Sequence, residues 1–246
     1  MSALEGSFHI LSIPAVLIYL FRGVAFTVVI SAFAVVIAVL IGLVMALCRN
    51  YCTSGSRRIL GILATFYIEV FRNTPLLLWI FICLVFVPAP AFLQRKMLGL
   101  SSVETGLLFK GTLALILFES SVIAEIIRGG LNAISKGQFE AGYSQGFGPF
   151  RVMTLIVMPQ VYQNIIPTLL GQVISTIKDS SYLANIAVIE LMARTKQVLA
   201  NANRYNGLGR INVSDVFVMF GFAFAIYFVI DFILSILVRR TAKSGR

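Results

Sequence analysis

The chain has 246 residues, 59% hydrophobic and only 12% charged, with a mean hydropathy of +0.93 and a formal net charge of +10. A soluble domain carries about 25% charged residues, so this composition excludes an ordinary water-soluble fold. Nucleic acid is excluded as the reason for the positive charge, because that charge is gathered in three clusters: Arg49, Arg57 and Arg58; Arg128, Lys136 and Arg151; Arg239, Arg240, Lys243 and Arg246. With five crossings all three clusters fall on one side of a membrane, the positive-inside pattern, which puts the C-terminus in the cytoplasm and the N-terminus outside.

Hydrocarbon leaves no water for backbone groups, so the spanning elements must be helices of ~20 apolar residues. Residues 1–22 lack a basic n-region and Pro14 interrupts their apolar stretch, which reads as an interfacial, extracytoplasmic segment rather than a signal peptide. The first span covers residues 23–47 and ends in the basic loop before Arg58. The second, residues 59–87, is long for one crossing and carries Thr74-Pro75; proline removes a donor and disfavours helix geometry in the residue before it, so a kink is expected near Thr74. An external loop follows to residue 105, and the third span occupies residues 106–127 with Glu119 and Glu125 inside it. A cytoplasmic loop over residues 132–151 precedes the fourth span, residues 152–177, which contains Pro159 and Pro167. Residues 178–212 are helix-prone but too polar to cross, and form an external segment. The last span is residues 213–238, with Asp231 as a structural pairing group. The expected fold is an all-α integral membrane protein of five spans, with residues 23–240 as one transmembrane domain. Cys48, Cys52 and Cys83 lie in or beside apolar runs with no second Cys or His cluster, so they read as reduced packing residues and no metal or cofactor is expected.

The loop at 132–151 carries the most specific pattern. Ser135 with Gln138 has the form of a capping box, and Phe139, Gly142, Tyr143, Gly146 and Phe147 follow helical spacing as one apolar stripe. Gly146 suits a left-handed helix end and Pro149 the first turn of the next helix. Two short helices at a tight bend, with aromatics turned to a partner's groove, are expected. The bland alternative is an ordinary loop on the membrane surface.

Ionisable groups at membrane depth are costly and mark candidate sites. On the fourth span, Gln160, Asn164, Thr168, Gln172, Ser175 and Asp179 recur at spacings of three or four, one continuous polar stripe that ends at Lys178-Asp179-Ser180-Ser181. Thr65, Glu69 and Arg72 repeat the rule on the second span, and Ser121, Glu125, Arg128 and Asn132 on the third. Three such helices suggest a hydrated seam. The alternative is interhelical bonding, with Glu69–Arg72 and Glu125–Arg128 as ion pairs one turn apart. For an amino-acid zwitterion, Asp179 or Glu69 would hold the ammonium, and Arg72, Ser180, Ser181 or freed backbone N–H groups the carboxylate.

Several stretches resemble the polar amino-acid branch of ABC-transporter permeases. Glu140-Ala141-Gly142, Gly146, Ile156 and Met158-Pro159 match the spacing of that family's EAA motif, with Gly142 for the second Ala and Met158 for Leu. Tyr67-Ile68-Glu69-Val70-Phe71-Arg72-Asn73-Thr74-Pro75-Leu76-Leu77 resembles Y-x-E-x-x-R-G-T-P-L-L. Ala124-Glu125-Ile126-Ile127-Arg128-Gly129-Gly130 resembles A-E-I-x-R-G-G, and Lys178-Asp179-Ser180-Ser181 is similar to K-D-T-S. The resemblance implies a type I ABC importer (MetI-like) architecture with a second permease subunit and an extracytoplasmic binding protein. It also implies a separate ATPase docked on the loop of Phe139, Glu140, Ala141, Tyr143, Gly146 and Phe147. Residues matching Glu69 and Asp179 would then lie near the substrate path, together with Arg72, Asn164, Gln172, Ser175, Ser180 and Ser181. The chain has no phosphate-binding GxxxxGK[ST] and no hydrolase motif, so it is expected to be no enzyme, with ATP bound by the partner. Glutamine or glutamate is the expected substrate, basic amino acids and cystine the rivals. The competing classes are an ion-gradient-driven carrier built on Glu69, Glu119, Glu125 and Asp179, and a membrane scaffold in which the stripes only hold helices together.

Overall fold

The computed structural model describes residues 3–93 and 99–244. Arg246 of the C-terminal basic cluster and residues 94–98 of the expected external loop lie outside the described residues. The described residues are helical and contain no β-strand. In chain order they form α1 (Ala3–Ser12), α2 (Pro14–Tyr51), α3 (Arg58–Arg72), α4 (Leu76–Phe86), α5 (Ser102–Asn132) and α6 (Lys136–Ser144). Then come the single turn α7 (Pro149–Arg151), a π-helical stretch Val152–Val157, α8 (Met158–Asp179), α9 (Leu191–Ala200), α10 (Ala202–Tyr205) and α11 (Val213–Ser244).

The helix breaks at Ile13, as Pro14 in the apolar stretch led one to expect, and Pro14 opens α2. Proline's missing N–H is no loss in the first helical turn, where that donor has no intrahelical partner. The helix therefore starts upstream of the residue 23 expected from hydropathy, and at 38 residues it is about 57 Å long. One of its faces is lined by the buried Ile30, Ala34, Ala38, Gly42 and Ala46, while Phe33, Val36, Leu40 and Val44 on the other are each more than half exposed. An exposed stripe of that size is untenable in water but ordinary against lipid, and small residues on the inner face permit close helix contact. Among the described residues α2, α5 and α11 are each long and apolar enough to cross alone. The pair α3 and α4 passes the same test only as one broken span. The break falls at Asn73-Thr74-Pro75, as the proline requires, and the Thr74 hydroxyl donates to the Val70 carbonyl at 2.6 Å, satisfying an acceptor at the helix end.

The chain packs as two compact units that are not consecutive in sequence. One holds the chain up to Phe33 with Leu77–Leu115 and Ser175–Ile233. Its core includes Ile10, Val16, Leu20, Val198, Ala202 and Met219. Fully buried Asp215 ties α1 to the start of α11, accepting from Ser7 Oγ at 2.6 Å, Asn206 Nδ2 at 2.9 Å and the Asn212 N–H at 2.8 Å. Residues 178–212, expected to be too polar to cross, contribute to the core of this unit. Leu183, Ile186, Val188, Ile189, Leu191 and Ala193 are buried in this unit, and the polar groups among them are satisfied internally.

The other unit holds Ala34–Leu76, Ile116–Ile174 and the chain from Leu234. Its core gathers Ile68, Ile123, Ala124, Ile127, Leu131, Val157, Val161 and Ile165. Helix α5 packs closely on two neighbours through glycine. A methyl group on Gly42 would lie 3.0 Å from the Ser120 carbonyl oxygen, and one on Gly130 only 2.3 Å from Ile165 Cγ2 on α8. Gly129, next to it, has open space.

This contrast sets a paired test. Gly130→Ala forces Ile165 and its backbone apart and should cost about 1–3 kcal/mol, seen as a lower melting temperature of the detergent-solubilised chain. Gly129→Ala should leave the melt unchanged or raise it slightly, since alanine is the better helix former by ~1 kcal/mol.

Candidate functional site

Helix α6 ends by local rules. Gly146 adopts φ +79°, its N–H bonds to the Tyr143 carbonyl at 2.9 Å, and the Phe147 N–H bonds to the Gly142 carbonyl at 3.2 Å. That pair of bonds is the Schellman arrangement, which uses a left-handed residue to satisfy the last helical carbonyls. Pro149 is the first residue of α7, as expected. Ser135 does occupy the N-cap position, but its side chain makes no capping bond. Gln138 instead accepts from Gln160 Nε2 at 3.0 Å, joining α6 to the first turn of α8. The expected aromatic stripe is split. Phe139 and Phe147 pack against the core of the second unit, and Gly142 is buried against Val152 and Ile156. Glu140, Ala141, Tyr143 and Gly146 face out, and so does Phe150, which is 79% exposed. Phe139 and Phe147, expected to face a partner, are half-buried and hold the helix to the core.

Glu69 and Arg72 stand in an ion cluster, not singly on a seam. Glu125 is its centre, with a side chain 14% exposed. Its Oε1 accepts from Arg49 Nη1 at 2.8 Å, and its Oε2 meets Arg128 Nη2 at 2.9 Å and Arg72 Nη1 at 3.3 Å. Glu69 takes Arg49 Nη2 at 2.7 Å and Asn73 Nδ2 at 2.8 Å. The expected Glu125–Arg128 pair is present. The expected Glu69–Arg72 pair is replaced by two contacts that cross between helices, because the end of α2 brings Arg49 between the two carboxylates.

Along α8 the polar stripe divides between the two units. Within the second unit Asn164 and Thr168 are exposed, and Gln172, half-buried, donates Nε2 to Glu119 Oε2 at 2.7 Å. Glu119 is itself 0% exposed. Within the first unit Ser175 and Asp179 are half-buried. Ser181 lines a cavity of about 320 Å³ with Lys178, Met192, Phe220, Phe224 and Tyr227. Ser180 does not belong to an accessible path: it is 0% exposed, and its hydroxyl donates to the Ile177 carbonyl at 2.7 Å. The cause is the tighter 3₁₀ geometry of Ser180–Ile186, which follows α8 directly and turns that serine inward.

Two buried charged residues of the first unit were not legible in the motif pattern. Glu190 caps α9, accepting from the Met192 N–H at 2.8 Å, the Ala193 N–H at 2.6 Å and Tyr227 Oη at 2.8 Å. Burial pushes its carboxyl up to about 7, against the opposing pull of those three donors. Arg194 is 7% exposed; its guanidinium donates to the Tyr19 and Ile189 carbonyls and lies 4.2 Å over the Tyr19 ring. Burial lowers its pKa. An acid directly before a helical run was the available signal for Glu190. Nothing local distinguishes Arg194. Among the described residues no group of His, Cys, Asp or Glu is arranged to hold a metal, and all three cysteines are free thiols.

The broken pair α3–α4, the exposed bend at Gly146 and the polar groups along α8 stand among helices long and apolar enough to cross a membrane. Residues 38–243 match the family described as binding-protein-dependent transport system inner membrane component, and the chain belongs to that family. It is an inner-membrane permease of the ABC-transporter class. The putative glutamine transport system permease protein GlnP of Rickettsia prowazekii is 29% identical over 189 residues, covering 77% of this chain and 80% of the relative. The arginine transport system permease protein ArtQ of Bacillus subtilis is 31% identical over 230 residues, 92% and 94% of the two chains. Among solved structures, an amino acid ABC transporter crystallised with histidines superposes with a TM-score of 0.72 at 27% identity, over 95% of this chain and 97% of the other. The MetNI methionine ABC transporter, inward facing, gives 0.70 at 16% identity over 95% and 99%, a likeness of fold alone.

Two measurements probe this charge arrangement. Glu125→Gln takes the carboxylate from Arg72 and Arg128, leaves Arg49 only Glu69, and should destabilise the solubilised chain by about 2 kcal/mol; Glu69→Gln, which leaves Glu125 in place, should lower the melt less. Glu190 gives a pH signature. Its folded pKa lies above the usual 4.5, so the native state binds more protons than the unfolded one between those values. Stability should therefore be fullest below about 4.5, fall as pH rises towards about 7, and level off beyond. Glu190→Gln should flatten that part of a melting-temperature profile.

Proposed function

We propose that this chain is the membrane-spanning permease subunit of an ATP-driven importer of polar amino acids, with glutamine or glutamate as the substrate. The observation that carries this reading is the α6–Gly146–Pro149 bend: an exposed helix fixed to the core from behind and joined through Gln138–Gln160 to the polar face of α8. The names of the relatives, glutamine and arginine permeases, support the substrate class. In this reading the chain crosses the membrane five times, the broken pair α3–α4 and the amphipathic α8 being the crossings that apolarity alone does not mark. The N-terminus is outside and the three basic clusters lie in the cytoplasm.

A separate ATPase binds Glu140, Ala141, Tyr143 and Phe150. When ATP closes the ATPase pair, the load enters through α6, whose backing by Phe139 and Phe147 makes it a lever instead of a loose loop. Gln160 passes the displacement to α8, and the face carrying Asn164, Thr168 and Gln172 changes its access. A second permease, identical or homologous, completes the path, and an extracytoplasmic binding protein delivers the amino acid. The chain supplies path and lever and hydrolyses nothing itself.

The test is reconstitution with the ATPase and binding protein in proteoliposomes. Gly146→Val must adopt a backbone region that costs an L-residue ~1–2 kcal/mol and more for a β-branched one. It should abolish amino-acid uptake and its coupled ATP hydrolysis while the chain still inserts. Normal uptake by that variant would overturn the lever. Uptake that survives without ATP and collapses with an ionophore would instead identify an ion-gradient carrier.

A further inference from the structure

Arg57 and Arg58 close the basic loop after α2, and beyond topology the function proposed above gives them no task. Residues 48–68 contain no Asp or Glu, and among the described residues no acid pairs with either arginine. Both are exposed. Gly61 brings the chain after α2 directly against α3, since a methyl group there would lie 2.3 Å from the Cys52 carbonyl oxygen. At this contact lies a groove of about 560 Å³, lined by Thr53 and Arg58, by Ile62 and Phe66, and by Arg49 and Glu69. Glu69 stands about 16 Å further along α3 than Arg58, and its carboxylate is taken up by Arg49 and Asn73. The ion cluster behind the groove is itself positive, with Arg49, Arg72 and Arg128 against Glu69 and Glu125. Directly after the two free arginines, Ile59, Ile62, Leu63 and Phe66 recur at helical spacing, each more than half exposed.

We propose that this groove is a site for one anionic phospholipid, its phosphate on Arg57 and Arg58 and an acyl chain laid along Ile62 and Phe66. The lipid comes from the leaflet on the side of the basic loop. Guanidinium groups meet phosphate oxygens through paired hydrogen bonds, and these two have no carboxylate to compete for them. The Thr53 hydroxyl adds a donor on the groove wall. A free phosphate would satisfy the arginines and leave the apolar face uncovered, whereas a phospholipid covers both with one molecule. Basic residues at the edge of an apolar helix face are how proteins meet anionic lipid. Arg49 lines the same groove and holds Glu69 and Glu125, so the lipid sits against the network that joins α2, α3 and α5.

The test is equilibrium binding of dioleoylphosphatidylglycerol, and of dioleoylphosphatidylcholine with the same chains, to the full chain in neutral-detergent micelles. The unsubstituted chain should prefer the phosphatidylglycerol by about tenfold. The double variant Arg57→Gln with Arg58→Gln should bring the two lipids close to parity while its melting temperature without lipid stays unchanged, because neither arginine has an ion pair to lose. Arg58→Gln alone should already cost about threefold. Arg239→Gln with Arg240→Gln removes the same charge from another exposed basic cluster and should keep the full preference. Phe66→Ala should weaken phosphatidylglycerol binding about threefold through lost apolar contact. Equal losses in the two double variants would mean diffuse attraction without a site, and overturn the proposal. So would an unsubstituted chain with no preference between the lipids, or glycerophosphoglycerol competing as strongly as the intact lipid. A preference that vanishes when the ATPase is added would assign the two arginines to an acidic face of that subunit, and overturn it as well.

Discussion

The contacts that matter in the second unit depend on how closely α5 approaches its neighbours. Gly42 lets α2 come against the Ser120 carbonyl, and Gly130 lets α8 come against α5 at Ile165. In hydrocarbon there is no hydrophobic force to bring helices together, so van der Waals packing through small residues does that work. Everything polar follows from the resulting distances. With α2 against α5, Arg49 reaches both Glu69 and Glu125, and with α8 against α5, Gln172 reaches Glu119.

That dependence explains why the charges of this chain are networked instead of paired along single helices. A carboxylate at low dielectric needs several donors, and one arginine a turn away supplies only part of them. Glu125 collects three guanidinium groups, one from its own helix and two from others. The same demand is met differently in the first unit. Glu190 takes two N–H groups of a helix start and a tyrosine hydroxyl, and Arg194 takes backbone carbonyls and an aromatic face. In each case the group is held by atoms whose own positions are set by packing.

Local constraints were the legible part of the sequence. The break at Thr74-Pro75, the left-handed Gly146 and the restart at Pro149 each follow from one residue's allowed backbone, and each is where the spacing places it. Helical periodicity located the stripe on α8. What spacing could not resolve was which side of a stripe is bound inward. Phe139 and Phe147 share an apolar rhythm with Tyr143 but pack against the buried cluster that includes Val152 and Val157. Ser180 continues the polar run yet is turned in by the 3₁₀ segment. Partners from distant sequence were beyond its reach. Arg49 was read as a topological charge in a basic loop, and only the packing of α2 on α5 shows it bridging two acids. Composition did not show how residues 178–212 satisfy their buried polar groups: Glu190 accepts from two N–H groups at the start of α9, and the Thr195 hydroxyl donates to the Leu191 carbonyl.

The bend at Gly146 and the Gln172–Glu119 bond are built on different physics, and this separates their sensitivities. The bend at Gly146 depends on backbone conformation alone: a Cβ there meets nothing within 4 Å, so its cost is torsional and local. Gln172 depends on a contact between helices, so its orientation answers to any displacement of α8 relative to α5. Gln138–Gln160 sits at the other end of the same helix and is itself a bond from α6 to α8. A load applied at α6 thus enters the helix that holds Gln172 against Glu119, and a shift of an ångström is enough to lengthen a 2.7 Å bond past hydrogen-bonding range. One helix thus carries both the bond to α6 and the bond to the buried acid of α5.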